Sequence, residues 1–354
     1  MAELTGPVLV VGTGLLGTSI GLACARAGLE VLLSDPSAEN LRTASGLGAG
    51  RVYAGQPVQL VVVAVPPDLL GTCVADALGS TDAVVTDVGS IKSQPLREVL
   101  AMAPDAADRY VGGHPMAGSE RSGPLAGTAS LFEGRPWAIT VHERARSEAV
   151  ELVRALAVAC GAVPLELSPE QHDQAVARTS HLPHLMAVLV AGRLTDAPEG
   201  HLALSGPGVR DVTRVAGGDP ALWQQIIPAN AEAVLTLLDE VRERFDRLHA
   251  AVVNDDREEL GVLLSEGLAG TLAIPGKHGG PVRPTSSVFV AVPDHPGELA
   301  RLFADAGEAE VNIEDIHIDH DPGREVGLVE LVVDVERSDH LVRSLTERGW
   351  TLHQ

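Results

Sequence analysis

Aromatic residues are scarce, with Phe, Trp and Tyr together making up 3% of the 354 residues. The cores must therefore be built from Ala, Val and Leu, and a hydrophobic content of 45% permits this. Cysteine is scarcer still. Cys24, Cys73 and Cys160 are an odd, widely spaced set in Ala/Leu/Val-rich surroundings, which excludes a disulfide framework and a zinc site. No metal is expected, and the thiols read as buried groups in a reducing cytoplasm. No run reaches the roughly 20 apolar residues that a membrane span needs. Met1-Ala2-Glu3-Leu4 lacks a basic region, and glycines 12 and 14 interrupt the apolar run that follows, against a secretory signal. Lysine occurs twice, at positions 92 and 277. Positive charge is short overall, with a formal net charge of −22; from Ser286 onward 15 Asp/Glu face 5 Arg. So acidic a surface repels phosphodiester backbones and anionic headgroups, so neither nucleic acid nor membrane is an expected partner.

What is present alternates. Pro7–Val11 is a short Val-rich run suited to a strand buried on both faces, followed by a glycine turn and an apolar helical stretch over 15–27. Glu30–Ser34 closes a first βαβ unit of about 30 residues. Further strand-like runs lie at 60–65, 83–87, 110–112 and 137–141, with a helix at 147–160 and a strand at 163–167. This order predicts an α/β fold with a mostly parallel, doubly wound Rossmann-type sheet over 1–167. From 168 to 274 the periodicity is helical, and Leu185–Ala191 is apolar on every face, a pattern that demands cover by other protein. An all-helical domain with its excess apolar surface buried in a homodimer is expected there. The Gly/Pro-rich stretch PGKHGGPVRP reads as a linker over 275–285. Beyond it, the order βαββαβ predicts a small α+β sandwich over 286–354.

Gly12-Thr13-Gly14-Leu15-Leu16-Gly17 follows the first strand and opens a helix. In this setting Gly12 allows a tight turn, Gly14 a close approach of backbone to pyrophosphate, and Gly17 close helix–strand packing. The helix N-terminus then offers N–H groups and a positive dipole end to the phosphates. Asp35 follows the second strand, 18 residues past Gly17. A carboxylate there accepts from a ribose diol and repels a 2′-phosphate, which favours NAD over NADP; alternatively, Asp35 caps the next helix.

Three polar clusters accompany strand ends and the helical region: Asp87-Val88-Gly89-Ser90-Ile91-Lys92; Gly112 to Glu120, GGHPMAGSE; and His172-Asp173, Ser180-His181-Leu182-Pro183-His184 and Arg210-Asp211-Val212-Thr213-Arg214, with Trp223 beyond. A histidine at a strand end beside a nicotinamide takes the proton of a hydroxyl as hydride leaves the same carbon. His114 suits this, because its flanking glycines would give a substrate close access; an ordinary turn histidine is the plain alternative. For His172, His181 and His184 the plain reading as core or helix-start residues is the stronger one, with substrate contact the alternative. Arg210 and Arg214, four apart, share a helix face and either clamp carboxylates or pair with Asp211 and surface acids.

In this order behind GTGLLG, the motifs DVGSIK, GGHPMAGSE, HD…SHLPH and RDVTR…DPALW resemble those of the prephenate/arogenate dehydrogenases over residues 7–275. The resemblance implies NAD-dependent oxidative decarboxylation of a cyclohexadienol. It implies His114 as the catalytic histidine on the C4 hydroxyl and Ser90 as its companion on that hydroxyl. Arg214 would hold the ring carboxylate and His181 line the substrate pocket. Glu120 and Asp211 would form a polar gate, and Arg210, where the family often has Lys, would reach across the dimer. Prephenate is the expected substrate and arogenate the alternative. Asp294-His295-Pro296-Gly297 and Asn312-Ile313 resemble the ligand-binding edge of an ACT domain, which implies L-tyrosine as a feedback effector or, failing a ligand, a dimerising module. Among rivals, phosphoglycerate dehydrogenase carries its fingerprint well inside the chain, and a β-hydroxyacid dehydrogenase needs a lysine in the helical region, where none occurs between Lys92 and Lys277. A non-catalytic NAD- and amino-acid-sensing regulator is the reading from a different class.

Overall fold

The computed structural model describes residues 3–118, 121–274, 284–320 and 326–353. Two compact units divide the chain at 243/244. The first opens with β1 (Val8–Val11), α1 (Leu15–Arg26), β2 (Val31–Ser34), α2 (Ala38–Gly46), β3 (Arg51–Val52) and β4 (Leu60–Val63). It continues through α3 (Leu70–Ser80), β5 (Val84–Asp87), α4 (Ser93–Met102), β6 (Tyr110–Pro115), β7 (Pro136–Thr140), α5 (Ser147–Ala159) and β8 (Val163–Leu167). The strands form one sheet in the order β3-β2-β1-β4-β5-β6-β7-β8. Pairing is parallel from β3 to β6, antiparallel between β6 and β7, and parallel again between β7 and β8. The order reverses between β1 and β4, the switch point at which open α/β sheets take ligands. Central strands are buried along their length, Val8, Val10 and Leu60 to Val63 at 0% exposure, as continuous apolar runs covered by helices on both faces require.

Two details differ from the sequence expectation. Strand β6 runs on to Pro115, so His114 sits within the strand, opposite Ala138, and not in a turn beyond it. The flanking glycines serve the protein and not a substrate's approach. A Cβ on Gly113 would lie 2.7 Å from the Asp87 carbonyl, and one on Gly112 2.4 Å from Thr140 Oγ1 and 3.1 Å from Lys92 Cδ. Cys24 and Cys160, distant in sequence, lie in one core cluster as free thiols.

Helices then follow without strands. They are α6 (Pro169–Val176), a π-helical turn at Ala177–His181, α7 (Leu182–Gly192), α8 (Glu199–Leu202), α9 (Pro207–Arg214), α10 (Pro220–Ala229) and α11 (Ala231–Val253). Ser168 opens α6 with a full capping box, its side chain accepting from Gln171 N and Gln171 bonding back to Ser168 N. In the single chain Val188, Leu189 and Val190 of the apolar run in α7 lie open, Leu189 at 64% exposure, and Leu204 reaches 86%. Surface of that extent marks an interaction face.

The second unit contains α12 (Arg257–Leu272) and a βαββαβ module. Its elements are β9 (Thr285–Pro293), α13 (Glu298–Glu308), β10 (Ile313–His320), β11 (Val326–Asp334), α14 (Val335–Glu347) and β12 (Thr351–His353). The sheet order is β10-β11-β9-β12, antiparallel throughout, over a core of Val290, Val329, Leu331, Leu302 and Leu341. No described helix is long and apolar enough to cross a membrane.

One ion pair stands out in the sheet's interior. Lys92 Nζ, fully buried, bonds Asp87 Oδ2 and donates to the Gly113 carbonyl at 2.6 Å. Tyr110 Oη donates to the other carboxylate oxygen at 2.9 Å. Burial pulls the Lys92 ammonium below its ordinary pKa, against the raising effect of Asp87. It pushes the Tyr110 phenol well above its own, reinforced by the Asp87 charge. Removing one partner of such a pair strands the other charge. Lys92→Met should therefore destabilise the unit by about 3–5 kcal/mol in urea titration. Adding Asp87→Asn should restore much of that loss, and a double variant no more stable than the single one would count against the pair as the cause.

Candidate active site

The glycine segment fits a dinucleotide by what added side chains would meet. Gly12 has φ +94°, and a Cβ there would lie 2.3 Å from the Ala64 carbonyl; a Cβ on Gly17 would lie 1.9 Å from the Gly12 carbonyl. Gly14 faces open space, with nothing within 4 Å of its Cβ position. Two glycines thus pack the turn against the sheet, and the third leaves a cradle in front of α1, whose N-cap bears no side-chain bond. Asp35 Oδ2 accepts from Thr13 N at 2.6 Å and Thr13 Oγ1 at 2.8 Å, and Oδ1 accepts from Ser37 N at 2.7 Å. Ser37, and not Asp35, caps α2, accepting from Asn40 N. Asp35 therefore braces the glycine turn, and its carboxylate keeps lone pairs for a ribose diol. Thr13 is buried, and Leu15 and Leu16 form the first turn of α1.

The carboxyl ends of β1, β5 and β6 lie on one edge of the sheet, which brings the glycine cradle, Ser90 and His114 to the same edge. Ser90 is half-buried just past β5. His114 Nδ1 lies 2.8 Å from Nε2 of His172, and His172 Nδ1 lies 2.8 Å from Asp173 Oδ1. The Asp173 carboxylate also accepts from Lys92 N at 2.9 Å and Ser93 N at 2.8 Å. Burial would raise its pKa, but the bonds from His172, Ser93 and Lys92 outweigh this and hold it below the usual carboxylate range.

From Asp173 the contacts run on into the helices. Its carbonyl accepts from Asn230 Nδ2 at 2.8 Å, and that amide lies 3.2 Å from His181 Nδ1. His181 meets the edge of Trp223, ring centroids 6.0 Å apart, while His184 stacks on Trp223 at 3.6 Å. His184 Nδ1 bonds the Val215 carbonyl at 2.9 Å, just past α9. Arg210 and Arg214 do lie on one helix, both exposed, as is Asp211, and among the described residues neither guanidinium forms an ion pair. Pairing with Asp211, one of the two sequence readings, is thus not seen. Glu120 lies outside the described residues.

The residues expected to bind an effector do not meet within one chain. Asp294, His295, Pro296 and Gly297 follow β9, whose end pairs with Val326, whereas Asn312 and Ile313 open β10, whose start pairs with Val333. Val326 and Val333 stand seven positions apart on β11, roughly 20 Å along the sheet. Among the described residues no group of His, Cys, Asp and Glu is arranged to hold a metal ion.

The sequence reading singled out His114, Ser90 and the glycine turn. It left His172, Asp173 and Asn230 without an assigned role, although the adjacent His-Asp pair was a visible signal. Lys92 was visible only as the end of a motif.

A nucleotide cradle and a histidine pair, His114 half-buried and His172 buried, share the carboxyl edge of a doubly wound sheet, the layout of a dinucleotide-dependent dehydrogenase. Residues 20–166 match the family model of the prephenate dehydrogenase nucleotide-binding domain, and 168–266 that of the prephenate dehydrogenase dimerization domain. The probable prephenate dehydrogenase NovF of Streptomyces niveus is 36% identical, covering 97% of this chain and 98% of that relative. The prephenate dehydrogenase of Bacillus subtilis (strain 168) is 29% identical, covering 90% and 89%. A crystal structure of prephenate dehydrogenase from A. aeolicus, in complex with hydroxyphenyl propionate and NAD+, superposes with a TM-score of 0.68 at 27% identity, over 75% of this chain and 96% of that one. Synechocystis arogenate dehydrogenase superposes at 0.63 with 26% identity, over 75% and 98%. The chain belongs to the prephenate dehydrogenase family and is an NAD-dependent oxidoreductase.

Burial holds the histidines of this region neutral. His114 is pushed well below its ordinary pKa by desolvation, then by His172, Lys92 and His181. His172 and His184 are lowered by burial, and burial lowers His181 to about 4 against the opposing pull of Asp173. An unfolded chain takes up these protons near pH 6.5, so it binds more protons than the folded one below that pH. Stability carried by these groups is therefore present above about pH 6.5 and lost as pH falls toward 4. Thermal melts should give a lower Tm at pH 5 than at pH 7.5. His181→Gln should lose less Tm across that interval than the parent, and an equal or greater loss would mean that His181 titrates normally in the fold.

Proposed function

We propose that this enzyme converts prephenate to 4-hydroxyphenylpyruvate by oxidative decarboxylation, and that His114 is its general base. The observation that carries this reading is the bond of His114 Nδ1 to His172 at the cofactor edge of the sheet, with no partner for Nε2 among the described residues. Bound NAD supplies the acceptor for hydride from C4. His114 Nε2 takes the C4 hydroxyl proton, and Ser90 shares and orients that hydroxyl. The bond from the ring to its carboxylate then breaks, CO2 leaves, and the electron pair moves into the ring. The resulting phenolate recovers its proton from His114. Arg214 holds the ring carboxylate before it leaves, a task suited to an exposed guanidinium that, among the described residues, forms no ion pair. His181 lines the pocket, Asp211 and Glu120 form its polar gate, and Arg210 reaches across a homodimer built on the exposed faces of α7 and its neighbours.

The domain limits follow the same reading: NAD-binding over 1–167, substrate and dimerisation over 168–274, a linker over 275–285, and an ACT module over 286–354 that binds L-tyrosine. Because Asp294–Gly297 and Asn312–Ile313 lie at opposite ends of the sheet, that effector site takes its two halves from two copies. A cytoplasmic setting accords with three free thiols.

NADH formation with prephenate and arogenate in parallel tests the substrate. Prephenate should give the higher kcat/KM; turnover of arogenate alone would overturn that choice while keeping the chemistry at His114. His114→Asn should lower kcat by about two to three orders of magnitude, the scale of a lost general base, and near-normal turnover would remove His114 from the role. Arg214→Ala should act mainly on KM for prephenate. Titration with L-tyrosine should inhibit the full-length enzyme; no binding and no inhibition at millimolar concentration would leave the C-terminal module as a dimerising element.

A further inference from the structure

We infer that His172 and Asp173 are positioning residues that lock His114 into the one neutral tautomer whose Nε2 lone pair is free. The inference deepens the reading of His114 as base and rests on it.

The proton assignments follow one from another. An ionised carboxylate only accepts hydrogen bonds. Asp173 is held in that state by three donors, the N–H groups of Lys92 and Ser93 and the ring of His172. His172 Nδ1 must therefore carry the proton it shares with Asp173. In a neutral imidazole the other nitrogen is then a lone pair, so His172 Nε2 can only accept. It lies 2.8 Å from His114 Nδ1, which must be the donor. A neutral His114 has no second proton, and its Nε2 is left bare. The other tautomer would set two lone pairs against each other at hydrogen-bond distance.

A doubly protonated His172 would escape this logic, but the surroundings oppose it. His172 is buried at 1% exposure, and this desolvation, joined by the repulsion of the Lys92 ammonium, outweighs the opposing pull of Asp173 and Asp87. Among the described residues, the charged and titratable groups acting on His114 are His172 from α6, Lys92 after β5 and His181 from the π-turn, with Asp173 and Asp87 acting on His172 behind it. Once His114 has taken a proton, its Nδ1–H still points at His172, and the Asp173 charge sits one ring further on. The same line thus prepares the base and stabilises its conjugate acid. A carboxylate behind an imidazole acts this way in serine protease triads; here a second imidazole stands between them.

The test uses the full-length enzyme with prephenate and NAD, and three variants. His172→Phe keeps a ring but offers no acceptor, and should lower kcat about 10- to 100-fold while KM for prephenate and NAD changes less than about threefold. His172→Gln can present Oε1 where Nε2 stood, and should recover several-fold of that loss. Asp173→Asn can donate to His172, reverse both imidazoles and leave Nε2 of His114 protonated. It should lower kcat by about 10² to 10⁴, as a carboxylate-to-amide change behind a catalytic histidine does. Histidine ¹⁵N spectra of the parent should show His114 Nε2 unprotonated, and those of Asp173→Asn should show it protonated.

Should His172→Phe keep kcat within twofold, or the parent spectrum show a protonated His114 Nε2, the inference fails and His172 is a packing residue. If a variant does not fold, the parent spectrum and His172→Gln still decide. Failure of the His114 reading is separate: it would appear as an active His114→Asn, whatever His172 does.

Discussion

The Asp173 carboxylate is the constraint on which the site's geometry depends. Two backbone N–H groups at the start of α4 point at its oxygens, so it acts for that helix as a capping group borrowed from α6. The same carboxylate receives His172, and the residue's own carbonyl receives Asn230. One side chain thus fixes α6 against the sheet half of the unit, while its backbone fixes the end of α10. A buried carboxylate with fewer donors would lose its charge or cost several kcal/mol. With these donors it stays ionised, and the direction of every neighbouring proton is determined.

Beneath it lies a second polar centre with the same logic. Asp87, Lys92 and Tyr110 satisfy one another at the ends of β5 and β6, in a region where Gly112 and Gly113 make the room that Lys92, Thr140 and Trp137 fill. Lys92 serves both centres: its Nζ belongs to the Asp87 pair and its backbone N–H to Asp173. A substitution there would disturb the fold and the histidine line together. The stability effect and the kinetic effect at that position therefore cannot be separated by one variant.

How much of this was legible in the sequence depends on the range of the interaction. The glycine turn, its helix and Asp35 are set by spacings of a few residues within one βαβ unit, and the structure places them accordingly. Leu185–Ala191, apolar on every side, correctly announced a face that the single chain leaves open. The role of Gly112 and Gly113 was misread because a glycine in sequence shows only missing bulk and not what fills the space. His172 and Asp173 had no readable partner, since the bond to His114 spans 58 residues and depends on where α6 lands against β6. The two effector segments of the C-terminal module were readable as motifs, but their placement at opposite ends of the sheet follows from strand direction and register.

The electrostatics of the proposed reaction then turn on local placement and not on net charge. A chain of formal charge −22 would repel a substrate bearing two carboxylates, but at physiological ionic strength that repulsion fades within about 8 Å. The buried cation of the sheet edge, Lys92, is already neutralised by Asp87, whereas the guanidiniums of α9 are exposed and, among the described residues, form no ion pair. The proposed base, His114, is an uncharged imidazole. A carboxylate in its place would add repulsion toward the anionic substrate, and a charged imidazolium could not accept the proton. The desolvation of His114 and its neighbours, which costs acid stability, is therefore the same property that keeps the proposed base neutral.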